Sequence, residues 1–173
     1  MNKKLQYSVI HYGLCALFFF FIYILQSTPG FLEFWSFKPL LLAACTVSMA
    51  VFEQEYAGAL FGAFAGALCD LSANTYFGFN AIMFMLCGLA VGLLCEYLTQ
   101  RNLRNCMWFT AAFLVLVCTI NYFFQLGIYK YPNAEFYWLK KTVGTTLPTL
   151  VLTPPVYWMF GYLHRRFEQY KEL

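Results

Sequence analysis

Charge is what this sequence has least of. Only 11% of its 173 residues are Asp, Glu, Lys or Arg, against about 25% in an average soluble domain, so the chain cannot cover itself with a solvated surface. Aspartate occurs once, at Asp70, and histidine twice, at His11 and His164. Neither histidine stands beside a serine or cysteine in a nucleophile motif, which leaves acid–base and nucleophilic chemistry without a recognisable centre. No glycine-rich loop carries the lysine of a phosphate-binding turn. The seven cysteines, at 15, 45, 69, 87, 95, 106 and 118, form no CxxC and no cysteine–histidine spacing suited to zinc. They read as small apolar residues inside helices, and neither a metal nor a cofactor is expected. A net charge of +3, scattered among apolar runs, excludes a nucleic-acid-binding surface. The chain is expected not to be an enzyme.

Apolar and aromatic residues are abundant. At 61% hydrophobic and 21% aromatic, the chain has the composition of an integral membrane protein. Its length suits about six spans of roughly 20 residues with short connections, and leaves no room for a soluble domain of ordinary size. The expected fold is therefore all-α, one polytopic membrane domain over 1–173. The apolar runs place spans at about 7–25, 39–52, 56–71, 80–98, 107–126 and 147–163. The second run is short, and Glu53 and Glu55 at its end suggest either a tilted helix or a tight turn between two packed antiparallel helices. Asn80 is placed to cap the fourth span. The aromatic, lysine-bearing connection 127–145 fits a segment lying in the membrane interface, with a short helix beginning near Asn133. Pro154 and Pro155 fall inside the last span, where they are expected to kink it. Lys and Arg fall seven to four in favour of the side that holds both termini, which the positive-inside rule places in the cytoplasm.

The stretch Gly58–Asp70, GALFGAFAGALCD, is expected to organise the chain. Gly58, Gly62, Gly66 and Asp70 recur every four residues, so on a helix they stack into a groove of bare backbone ending in the only aspartate. Three helical glycines cost about 1 kcal/mol each relative to alanine, a loss that close helix packing in a membrane can return. Gly88, Gly92 and Glu96 repeat the pattern. These seven residues form the expected helix-packing or interaction face. Glu96 has Arg101 and Arg104 near it and is expected in an ion pair; Asp70 has Lys38, the Lys140–Lys141 pair or another protein as its candidate partners.

The run GAFAGALCDL followed by FGFNAIMFMLCGLAVGLL resembles the central signature of MreD, a small rod-shape-determining membrane protein of bacteria. Gly62, Gly66, Asp70, Gly78, Gly88 and Gly92 stand at the positions of that signature. The resemblance extends to length, the short second span after Pro39 and the proline-bearing last span. It implies a non-enzymatic scaffold in the cell membrane, acting with MreC, and through it with the MreB cytoskeleton and the transglycosylase and transpeptidase that build peptidoglycan in the lateral wall. It also implies a six-helix fold similar to the substrate-binding S-components of energy-coupling-factor vitamin transporters, which makes such a subunit the alternative function. Those subunits dock through an Ala-x-x-x-Ala pattern in the first span. Here Gly13 pairs with Leu17 and Ala16 with Phe20, so that pattern is missing.

Overall fold

A computed structural model describes residues 3–28, 38–72, 78–99, 101–123 and 134–171. These form five helices and, among the described residues, no strand: α1 (Lys3–Ser27), α2 (Leu41–Ser72), α3 (Phe79–Tyr97), α4 (Leu103–Tyr122) and α5 (Ala134–Lys171). Three stretches are long and apolar enough to cross a bilayer, Val9–Ser27, Phe79–Tyr97 and Leu103–Tyr122. This is a membrane protein.

The second and third expected spans, 39–52 and 56–71, form one unbroken helical run in α2. That run is not straight. A Cβ on Gly58 would lie 2.9 Å from the Cα of Ala50, whereas eight residues of straight helix separate two such positions by about 12 Å. The helix therefore folds back on itself between these residues, around Glu53 and Glu55, and its two arms lie side by side. The tight turn weighed for the two glutamates is the alternative that this geometry supports. The connection near Asn133 also differs from expectation. In place of a short interfacial helix followed by a span at 147–163, the single helix α5 runs from Ala134 to Lys171 with Pro148, Pro154 and Pro155 inside it. The two later prolines leave the carbonyls of Leu150 and Val151 without their helical donors, yet helical geometry continues to Lys171.

The first arm of α2, not the glycine stretch, occupies the centre. Every residue from Leu41 to Val51 is buried, as a helix that is apolar all round must be. Both helix α3 and the flanking α1, α4 and α5 pack against α2. The amides at the start of this arm that lack a partner within the helix are capped by other helices. Leu40 N–H donates to the Thr149 hydroxyl of α5 (3.0 Å), and Leu42 N–H to the Gln26 side-chain oxygen of α1 (3.2 Å). Helix starts leave such donors orphaned, and lipid offers no water to take them. Polar side chains within the core are satisfied in the same economical way. Thr46 donates to the Leu42 carbonyl (2.9 Å), Thr110 to that of Cys106 (2.8 Å), and the Ser48 hydroxyl meets the Cys106 thiol at 3.7 Å.

Aromatic rings lock α1 and α5 onto the second arm of α2. Phe19 lies between Phe61 and Phe160, at 5.3 and 5.9 Å between ring centroids. Phe84 and Phe113 meet edge to face at 4.8 Å and join α3 to α4. Each such pair contributes about 0.5–1.5 kcal/mol beyond the area it buries.

Candidate functional site

The glycine row is where two backbones meet. Residues 58, 62 and 66 of α2 face 88, 84 and 80 of α3 in antiparallel order, four residues forward on one helix for four back on the other. A Cβ on Gly62 would collide with the Phe84 carbonyl, one on Gly66 with the Asn80 carbonyl, and one on Gly88 with the carbonyl of Gly58. These obstacles are backbone, which cannot rotate aside. Gly92 is buried on the same helix. Small residues of this kind let membrane helices approach closely enough for dispersion to hold them.

Asp70 closes the seam. It is buried, 4% exposed, and its carboxylate accepts four hydrogen bonds from the start of α3. Oδ2 receives the amides of Gly78 (2.8 Å) and Ala81 (3.2 Å), and Oδ1 receives the amide (3.2 Å) and side-chain nitrogen (2.8 Å) of Asn80. Neither Lys38 nor the Lys140–Lys141 pair is its partner; the anion sits on a helix N-terminus, where unpaired amides and the helix dipole stabilise it. Gly78 makes this possible, because its φ of +92° is a left-handed conformation open mainly to glycine. Asn80 does not cap its own helix. The cap comes from Asp70, one helix earlier, and Asn80 adds a donor to it.

Glu96 also departs from expectation. It is exposed at the end of α3, and its neighbour is the Glu55 carboxyl of the α2 turn, with Arg101 acting on it through space.

The residue pattern alone does not single out the cluster beside that turn. Glu53 meets the only two histidines of the chain, His164 of α5 with Nδ1 to Oε1 at 2.7 Å, and His11 of α1 with Nε2 to Oε1 at 3.7 Å. The Cys15 thiol lies 3.8 Å from the same His11 Nε2. One imidazole nitrogen thus faces both the thiol and the carboxylate, so His11 is not placed to relay a proton from Cys15 to Glu53 as a catalytic triad requires. Among the described residues no three His, Cys, Asp or Glu side chains converge as a metal site. What Glu53 does is join three helices. A usable signal was present in the expected topology, which puts His11, Glu53 and His164 on the same side of the membrane.

The family model of rod shape-determining protein MreD matches residues 6–166. The chain belongs to the MreD family. No curated protein and no solved structure matches it. A role in determining rod shape follows from this membership, and the glycine row of this chain forms the α2–α3 seam: Gly62, Gly66 and Gly88 at the backbone contacts, Asp70 and Gly78 at the cap.

Proposed function

We propose that this member of the MreD family is a non-enzymatic scaffold of the rod complex in the bacterial inner membrane, binding an MreC-type bitopic protein and through it MreB and the enzymes of lateral-wall peptidoglycan synthesis. The observation that carries this reading is the family match over nearly the whole chain. The site residues support it: Asp70 is engaged by an internal cap and Glu53 by two histidines, so these two acids serve helix assembly. Six crossings follow if each arm of α2 counts as one, which is the helix number of the S-component fold. Lys3, Lys4, Arg101, Arg104, Arg165, Arg166 and Lys171 lie toward the end of the bundle where the Glu53 cluster sits, and we place that end in the cytoplasm. The proposed interaction face comprises the outer sides of α2 and α3 flanking Gly58, Gly62, Gly66, Asp70, Gly88, Gly92 and Glu96.

Depletion of the chain in its own host, with capture of an MreC-type protein by the tagged chain from the same membranes, tests the proposal. Rounded cells and specific capture are the expected results. Unchanged rods together with saturable binding of thiamine, riboflavin or biotin by the purified chain would replace the scaffold with a vitamin-binding subunit.

A further inference from the structure

Helix α5 crosses the membrane between two fixed points. At one end the Trp138 ring lies 6.3 Å from that of Tyr122, the last residue of the α4 span, and at the other the Tyr157 hydroxyl donates to the carbonyl of Arg101, just before that span begins (3.1 Å). Tyr157 follows Trp138 by 19 residues, which is about 28 Å of helix against about 30 Å of hydrocarbon. Leu150 and Val151 therefore lie inside the bilayer. Their carbonyls are the two that Pro154 and Pro155 deprive of a helical donor.

Membrane helices tolerate such prolines where hydroxyls or neighbouring helices take up the freed acceptors. Here the nearby hydroxyls go elsewhere, because Thr145, Thr149 and Thr153 donate to the carbonyls of Lys141, Thr145 and Thr149. Among the described residues no side chain donates to Leu150 or Val151. The Val151 carbonyl runs along the helix axis toward Pro155, one turn on. Both residues are exposed, Val151 at 75%, and they lie on the side of α5 opposite the buried Thr149, Thr153 and Val156. This acceptor thus opens onto the outer surface of the bundle, where lipid tails carry no donor and an unpaired carbonyl is costly.

A second copy of the chain does not fit there. Copies cross the membrane in the same direction, so a two-fold contact sets this face against itself, with acceptor meeting acceptor at one depth. Thr119, the exposed threonine of α4, is already bonded to the Val115 carbonyl (2.7 Å). The donor has to come from a different chain.

We propose that the outward face of α5 around Val151 and Pro155 is a docking surface for one membrane helix of another protein, whose serine, threonine, asparagine or glutamine side chain donates to the Val151 carbonyl. Flanking apolar groups on the same side, Leu147 and Trp158, are 60% and 70% exposed and give that helix a surface to pack on. The proposal rests on the scaffold reading, under which the bitopic MreC-type partner supplies the helix. It adds a second face to the one flanking the glycine seam.

The test uses the full chain and the MreC-type protein of the same host, co-expressed and co-purified in mild detergent. Pro155→Ala returns an amide to the Val151 carbonyl; the variant should melt no lower than wild type and yet retain about fivefold less partner, as expected for one hydrogen bond. Val151→Trp, which fills the face, should also lose partner, and Val115→Trp on the exposed side of α4 should not. Replacing the polar residue of the partner's membrane helix at this depth by valine should weaken binding to wild type and have no further effect on Pro155→Ala, the non-additivity of a shared contact. Full retention of partner by both Pro155→Ala and Val151→Trp would overturn the proposal and leave the scaffold reading standing, with lipid alone on this face. A partner helix without a polar residue at that depth would overturn it too, as would self-crosslinking of Val151→Cys in a cysteine-free background without the partner. No retention of the partner by wild type would sink both readings.

Discussion

Replacing Asp70 by asparagine preserves size and polarity, and it should nonetheless be among the most damaging conservative changes in the chain. The carboxylate uses each oxygen twice, Oδ1 for the two nitrogens of Asn80 and Oδ2 for the amides of Gly78 and Ala81. Asparagine supplies one oxygen and one NH2 group. Whichever way the amide turns, two donors lose their acceptor and face another donor. Each buried group left unpaired costs about 1–3 kcal/mol, and loss of an anion from a helix N-terminus costs about 0.3–1 kcal/mol, up to about 2 when partly buried. A total near 3 kcal/mol is the conservative reading of those ranges. For a chain of this size each kcal/mol lowers the midpoint by about 2–4 °C, so Asp70→Asn should melt about 6–12 °C below wild type. A thiol-reactive fluorophore reads the transition, since Cys15, Cys45 and Cys106 are fully buried until the chain opens. Asn80→Ala removes only one of the four donors and should shift the midpoint far less. An Asp70→Asn variant that melts with wild type would refute the idea that both oxygens are engaged, and with it the cap.

Gly66→Ala should cost at least the 1–3 kcal/mol typical of overpacking, because its Cβ would come within 2.5 Å of the Ala81 Cα; Phe64→Leu, at a half-exposed ring, should be tolerated, and comparable melting of the two would argue against the seam. Thr149→Val removes the acceptor of the Leu40 amide and should destabilise by about 1–2 kcal/mol in the same thermal assay. Glu53→Ala removes the contact with His164 and should loosen α5 from α2, seen as faster protease cleavage of the C-terminal helix, while Glu53→Gln keeps an acceptor and should be milder. In a cysteine-free background, Asn102→Cys should resist an impermeant thiol reagent applied to spheroplasts and Thr28→Cys, at the other end of the bundle, should react; the opposite labelling would invert the proposed orientation.

The sequence revealed those parts of the fold that depend on repetition. Glycines at four-residue spacing in two neighbouring helices are visible as a pattern, and their facing one another follows from the short connection between them. Long apolar runs likewise announced α1, α3 and α4. The α2 turn was legible only as an alternative, because two short apolar arms separated by glutamates fit a tilted helix and a hairpin equally well. The partner of Asp70 was out of reach: capping of the next helix depends on Gly78 adopting a positive φ, and a search for opposite charge leads to lysines instead. The Glu53 cluster was harder still. Its members lie 42 and 111 residues apart along the chain, and nothing local links His11, Glu53 and His164 except the side of the membrane they share.

The buried first arm of α2 has a consequence for how the protein is made. It leaves the ribosome well before α5, yet the groups that complete it come from helices on both sides of it in the chain: Gln26 of α1, and Thr149 and His164 of α5. A nascent chain stopped before α5 therefore holds its central helix in the bilayer with an open amide at Leu40 and a carboxylate at Glu53 still lacking His164. Enclosure of the core is therefore complete only once synthesis reaches the last helix.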